Sequence, residues 1–285
     1  MKDLTSVIAA VVAFAATAGL GYIIIPYLRK LKFGQTILDI GPNWHKEKQG
    51  TPTMGGLMFI LGIVVAASVG LGLVIAFGGG YKTEYTRFIA GLIMALGFAA
   101  LGFLDDFVKV VKKRNLGLTA SQKMVGQIVI AAAYLLIVFF GGDSNTTVWF
   151  PFLGSLDFGI LYYPFAIFVI VGFVNAVNLT DGIDGLASSV TFVASLGFMA
   201  VTVLLRAYSM NILAAALAGG CLGFLIYNFH PAKVLMGDTG SMFLGGIVVA
   251  LAFGIHQPLL LLLFGIIYLI ETGSVMLQVT YFKLT

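Results

Sequence analysis

Five carboxylates, Asp105, Asp106, Asp181, Asp184 and Asp238, stand at the ends of apolar runs in a chain that is 60% hydrophobic and only 10% charged. An ionisable group beside hydrocarbon is costly and marks a functional site by default. Carboxylates gathered on one membrane face are a natural cage for Mg²⁺, which takes oxygen ligands and pairs with phosphates. The chemistry to expect is therefore phosphate chemistry at a membrane surface.

The first constellation is Leu104-Asp105-Asp106-Phe107, followed by the basic stretch Lys109–Arg114. Neighbours on a helix point about 100° apart, so the two carboxylates cannot face one ion equally and a division of labour follows. The second is Asn175-Ala-Val-Asn178-Leu-Thr-Asp181-Gly182-Ile-Asp184-Gly185. Two Asp-Gly pairs after an apolar run favour a compact turn with φ > 0 at glycine. Its amides lead into the next helix, an arrangement suited to a phosphate. The third, Asn228-Phe-His230-Pro231-Ala-Lys233-Val-Leu-Met-Gly237-Asp238-Thr239-Gly240-Ser241, puts a carboxylate at the start of a span. Asp, Thr and Ser there would equally make an ordinary helix cap. The fourth, Lys48-Gln-Gly50-Thr51-Pro52-Thr53-Met54-Gly55-Gly56, adds a cation and hydroxyls. A Walker A loop, a serine elbow, an H-E-x-x-H pair and a G-x-G-x-x-G unit are all absent from the sequence.

The elements that must position these groups are membrane helices. Mean hydropathy is +1.04 over 285 residues, and apolar runs approach the roughly 20 residues that cross ~30 Å of hydrocarbon. The expected fold is an all-α polytopic bundle, a single domain over 1–285. Nine spans are expected: Leu4–Leu28, Gly55–Phe77, Phe88–Leu104, Met124–Phe140, Ile160–Val177, Leu186–Leu205, Ile212–Phe229, Met242–Ile255 and Leu259–Val279. The eighth is short enough to be re-entrant or tilted. The 36 glycines fit close helix packing, and the runs lack the alternation of a membrane β-barrel. The first span is too long for a cleavable signal and has no cleavage pattern. Cys221 is the sole cysteine, so the chain has no disulfide framework or cysteine-based metal site of its own. Residues 141–159, with Thr147–Phe150 and Leu156–Phe158 around Gly154-Ser155, read as an interfacial β-hairpin with Trp149 as aromatic anchor.

Of the 16 Lys and Arg residues, only Lys2, Lys82, Arg87 and Arg206 fall on one side of this layout. The rest fall on the other, which the positive-inside rule makes cytoplasmic, leaving the N-terminus outside. All five carboxylates then share the cytoplasmic face. Nucleic acid is not needed to explain the net charge of +4.

Thr51-Pro-Thr-Met-Gly-Gly56, the Asp105–Asp106 pair, the Asn175–Leu186 segment and Met236-Gly-Asp-Thr-Gly-Ser241 run in the order found in one family. By them the chain resembles the polyprenyl-phosphate N-acetylhexosamine-1-phosphate transferase superfamily, on its phospho-MurNAc-pentapeptide branch. The resemblance implies transfer of phospho-MurNAc-pentapeptide from UDP to undecaprenyl phosphate, giving lipid I and UMP for peptidoglycan synthesis. It implies Mg²⁺, the bacterial cytoplasmic membrane and a homodimer. It further makes Asp238 the metal ligand and Asp105 and Asp106 the catalytic pair. Lys48, Thr53, Asn178, Asp181, Asp184, Asn228 and Gln278 would line the nucleotide and sugar region.

The family has ten spans, with a histidine-bearing loop after the ninth, whereas this sequence contains only His45, His230 and His256. His45 is a candidate for substrate contact and His230 a support for its loop. Glu271, mid-span, is expected to be neutral, hydrogen-bonded, or sited where the helix breaks at Thr272-Gly273. Two other readings remain at this point. A sister transferase would use UDP-GlcNAc, and a cation-coupled transporter would use the carboxylates differently. Transporters bind at the bilayer midplane between repeats, and no repeat is visible here.

Overall fold

A computed structural model describes residues 2–31, 50–76, 82–111 and 117–284. Its helices are α1 (Lys2–Lys30), α2 (Gly56–Ala76), α3 (Lys82–Val111), α4 (Ala120–Phe140), α5 (Tyr162–Thr180), α6 (Leu186–Leu204), α7 (Tyr208–Asn228), α8 (Gly237–Gly254), α9 (Leu260–Phe264) and α10 (Ile266–Leu284). The strands β1 (Thr147–Phe150) and β2 (Gly154–Asp157) lie between α4 and α5. Among the described residues, α1 to α8 are each long and apolar enough to cross a membrane. The protein is a multi-pass helical membrane protein with a small hairpin.

Two helices form the axis of the bundle. Every residue of α8 from Thr239 to Gly254 is buried, and α7 is nearly as enclosed. The α8 helix packs chiefly on α3 and α5, and α7 on α1 and α6. Without a solvent-driven hydrophobic force between helices, contact must come from close backbone approach at small residues. A Cβ at Gly91 would lie 2.7 Å from that of Ala250, and one at Gly246 would lie 2.8 Å from Ala95 Cα. One at Gly219 would overlap the Ala10 carbonyl oxygen, so α1 and α7 are equally tight. Peripheral α4 shows the opposite pattern. It buries only Gln127, Ala131, Tyr134 and Leu135, one helical stripe.

The structure revises several expectations. Helix α3 does not end at Leu104 but carries Asp105 and Asp106 onward to Val111. Helix α8 begins at Gly237, and at 18 residues it need not be re-entrant. The ninth span is not continuous: α9 ends at Phe264 and α10 begins at Ile266. The interruption falls at Gly265, against the Phe173 ring, and the backbone runs helical through Thr272-Gly273. Helix α10 buries only Tyr268, whose hydroxyl meets Thr191 Oγ1 at 2.6 Å. In the hairpin, β1 pairs antiparallel with β2, Thr147 facing Asp157 and Phe150 facing Gly154. The turn is 151–153, so Gly154-Ser155 belong to β2 and not to the bend.

The helices alternate so that polar groups collect at the two ends of the bundle. At the end carrying the hairpin, Asp143 lies 3.4 Å from Arg87 Nε and 3.3 Å from His256 Nε2. Partial burial pushes the Asp143 carboxyl up, but the His256 ring, the Arg87 guanidinium and the Asn145 amide outweigh it and hold the group below the usual carboxylate range. The opposite end holds the carboxylates.

Candidate active site

Four helices bring their ends together here: the last turns of α3 and α5 and the first turns of α4 and α8. The start of α4 is set by a capping box. Thr119 Oγ1 accepts from Gln122 N at 3.2 Å, and Gln122 Oε1 accepts from Thr119 N at 3.0 Å. That places Lys123 in the first turn.

Asp238 is the hub. Its Oδ2 accepts from Lys109 Nζ at 3.0 Å and Lys123 Nζ at 2.9 Å, and its Oδ1 from Asn178 Nδ2 at 2.9 Å. Asn178 also reaches Ser241 Oγ at 2.7 Å. Asp105 Oδ2 sits 2.6 Å from Lys109 Nζ, one turn along α3, while its Oδ1 accepts from Leu118 N at 2.8 Å. Asp106 turns the other way. It accepts from Asp238 N at 3.2 Å, Thr239 N at 2.9 Å and Thr239 Oγ1 at 2.7 Å. The unpaired amides at the start of α8 are thus capped by a carboxylate from α3, not by Asp238 itself. The negative charge also complements the helix dipole.

Asp105 and Asp106 are both buried and do divide their work, one holding a lysine and a loop amide, the other a helix end. Even so, each of Asp105, Asp106 and Asp238 can offer one oxygen within 4.8 Å of the others. This is a hard-oxygen donor set of the kind Mg²⁺ prefers, and the two ammonium groups already lying against it show that the site seeks positive charge. Three carboxylates therefore fit a divalent cation.

The other expected site residues divide. Thr53 belongs here, since its hydroxyl oxygen is 2.9 Å from where a Gly237 Cβ would sit, beside Asp106. Its segment is hydrogen-bonded to the approach to α8 through Leu235 N to Pro52 O (2.8 Å) and Gly56 N to Met236 O (3.0 Å). Gly237, at φ +71°, makes that close approach possible. Asp184 accepts from Ala232 N at 3.1 Å and meets His230 Nδ1 at 3.2 Å, so it ties the two loops together. Asp181 lies in the same turn, half-buried. Asn228 is buried behind the turn. Its Oδ1 accepts from Gly185 N (3.2 Å) and Ser188 Oγ (3.1 Å), and its Nδ2 donates to Val234 O (3.0 Å). Gln278 is exposed on α10 and donates to Ser274 Oγ on the same helix at 3.2 Å. Lys48 and His45 lie outside the described residues.

Sequence reasoning did not single out Lys109 and Lys123 as site residues. Lys109 was findable, because Asp105 and Lys109 are four apart on a helix and so share a face. Lys123 was findable only once the capping box fixed the start of α4.

A bundle of membrane-crossing helices with a cluster of three carboxylates at one end defines the class, a multi-pass membrane protein with a candidate metal site. Residues 88–256 match the model of glycosyl transferase family 4. Residues 48–60 match phospho-N-acetylmuramoyl-pentapeptide-transferase signature 1. Curated proteins named phospho-N-acetylmuramoyl-pentapeptide-transferase are closely similar. That of Heliobacterium modesticaldum is 47% identical over 276 residues, covering 96% of this chain and 83% of its own. That of Thermoanaerobacter sp. is 45% identical, covering 98% and 84%. That of Listeria monocytogenes is 46% identical, covering 96% and 82%. The chain belongs to the phospho-N-acetylmuramoyl-pentapeptide-transferase family and is a transferase.

Proposed function

We propose that the protein moves phospho-MurNAc-pentapeptide from its UDP donor to undecaprenyl phosphate, yielding lipid I and UMP, with Mg²⁺ held at Asp238. The observation that carries this reading is the hub itself, one carboxylate shared by Lys109, Lys123 and Asn178, with Asp105 and Asp106 within 4.8 Å. A bound divalent cation would neutralise pyrophosphate oxygens and ease departure of UMP. The two lysines add fixed positive charge for the anionic donor. Asn178 donates to the Asp238 side chain, and Asp106 accepts from the Asp238 backbone amide.

No general base is required. A phosphate monoester has a second pKa near ~6 and is largely dianionic at neutral pH, so the lipid phosphate arrives ready to attack. The Asp105 carboxylate, engaged by Lys109 and the Leu118 amide, serves as an organiser of the site. Thr53, Asp181 and Asp184 would contact the nucleotide and sugar, and Lys48 the pyrophosphate. Asn228 would support the Asp181–Asp184 turn from behind. The working location is the cytoplasmic face of the bacterial inner membrane, supported by the side to which most Lys and Arg residues fall, with a homodimer as the assembly and the whole chain as one domain.

The test is UMP release by purified protein given undecaprenyl phosphate and either UDP-MurNAc-pentapeptide or UDP-GlcNAc, with and without Mg²⁺. Release with the first donor alone, abolished by chelation and by Asp238→Asn, is the expected result. Release with UDP-GlcNAc alone would assign a sister activity. Release indifferent to chelation would remove the metal.

A further inference from the structure

Behind the hub lies an amide pair that the chemistry above does not use. Gln127 Nε2 donates to Asn175 Oδ1 at 3.1 Å, and Asn175 Nδ2 donates back to Gln127 Oε1 at 2.8 Å. Asn175 Nδ2 also reaches Val171 O at 2.8 Å on its own helix. Gln127 is buried, at 1% exposure. Reciprocal amide bonds of this kind fix both the rotation and the axial register of two helices, and within a membrane small polar pairs commonly join neighbours.

The register matters because of what sits one turn away. Lys123 precedes Gln127 by four residues on α4, and Asn178 follows Asn175 by three on α5, so each shares a face with its amide. Lys123 and Asn178 take the two different oxygens of Asp238. On α4 only Gln127, Ala131, Tyr134 and Leu135 are buried, and Gln127 is the polar member nearest the hub that could resist sliding. We infer that Gln127, through Asn175, is a positioning residue that holds Lys123 and Asn178 on opposite oxygens of Asp238 and so sets that carboxylate's orientation toward its cation. Gln127 touches neither substrate nor cation. The inference rests on Asp238 being the ligand of the proposed cation.

The experiment compares Gln127→Met, Asn175→Leu and the double variant Gln127→Met with Asn175→Leu. A buried amide left without its partner destabilises, whereas removing both partners is close to neutral. The double variant should therefore regain thermal stability lost in the single ones. If the pair positions the hub, turnover does not return with it. The kcat for UMP release stays down about tenfold with donor KM within about twofold, and Mn²⁺ affinity read by electron paramagnetic resonance, without substrate, is weaker by about tenfold, as for a removed outer partner of a metal ligand. Turnover that recovers together with the melting point, or Mn²⁺ affinity equal to wild type in all three variants, would overturn the inference. If the double variant does not fold, the Mn²⁺ titration of Gln127→Met decides alone. Wild-type protein that fails to bind Mn²⁺ would instead sink the metal assignment of Asp238.

Discussion

At the scale of single residues, the two adjacent aspartates have separable duties. Asp106 caps α8 from another helix, so Asp106→Asn should lose thermal stability as well as activity, by about 1–2 kcal/mol for a lost charge at a helix start. Asp105→Asn weakens one of the two carboxylate contacts of Lys109, leaves that to Asp238 in place and uncaps no helix, so it should melt closer to wild type. Neither variant should be rescued by alkali. With the attacking phosphate already past its pKa of ~6, rates at saturating substrate should stay low from about pH 6 to about 9. A rate climbing about tenfold per pH unit in either variant would restore a general base to that residue.

Asp143, at the other end of the bundle, gives a pH dependence of definite sign. Its folded value lies below the unfolded one of about 3.9. The stabilisation is therefore complete above that value and drains away as pH falls from it through the folded value. Asp143→Asn should flatten that acid limb of the melting point against pH and leave activity at neutral pH intact.

Among the elements, close contact between helices governs stability. Gly219→Ala forces a methyl group into the Ala10 carbonyl of α1, where only backbone can give way, and should cost about 1–3 kcal/mol. Gly172→Ala, on the exposed face of α5 with nothing within 4 Å, should instead gain up to about 1 kcal/mol from helix propensity. Melting both in one detergent checks the pair. The same contrast explains what could be read before the structure was seen. Span centres were legible because hydropathy is local, and the hairpin because strand residues flank glycine. Helix ends were not. Helix α3 runs on through Asp105 because Lys109 pairs with it one turn later, and α8 starts at Gly237 because Asp106 reaches across from α3 to cap it. Those partners are local in one case and 132 residues away in the other. The three carboxylates of the site were legible by type and placement, Lys109 by spacing alone, but no pattern in the chain announces that Gln127 faces Asn175. The break at Gly265 was equally hidden, since it depends on Phe173 in a different helix.

For the whole molecule, the two ends of the bundle carry different chemistry, and orientation can be tested directly. The native Cys221 is buried and should stay silent toward a membrane-impermeant maleimide. Ser155→Cys, on the hairpin, should label in intact cells, and Lys233→Cys, in the exposed loop beside the carboxylate hub, should label only after the membrane is opened. The reverse pattern would invert the proposed topology.

The hub also has an order of arrival. A ribosome releases Asp105, Lys109 and Lys123 well before Asn178, and Asp238 last of the groups that meet there. Until α8 emerges, the two lysines have no Asp238 to neutralise, and Asp106 has no helix to cap. A chain stopped short of α8 therefore holds most of the parts, yet leaves Lys123 without its carboxylate and Asp106 without the helix start it caps. Completion of α8 satisfies the lysines and the cap in one event, so the carboxylate hub is assembled only when the last of its helices is in place.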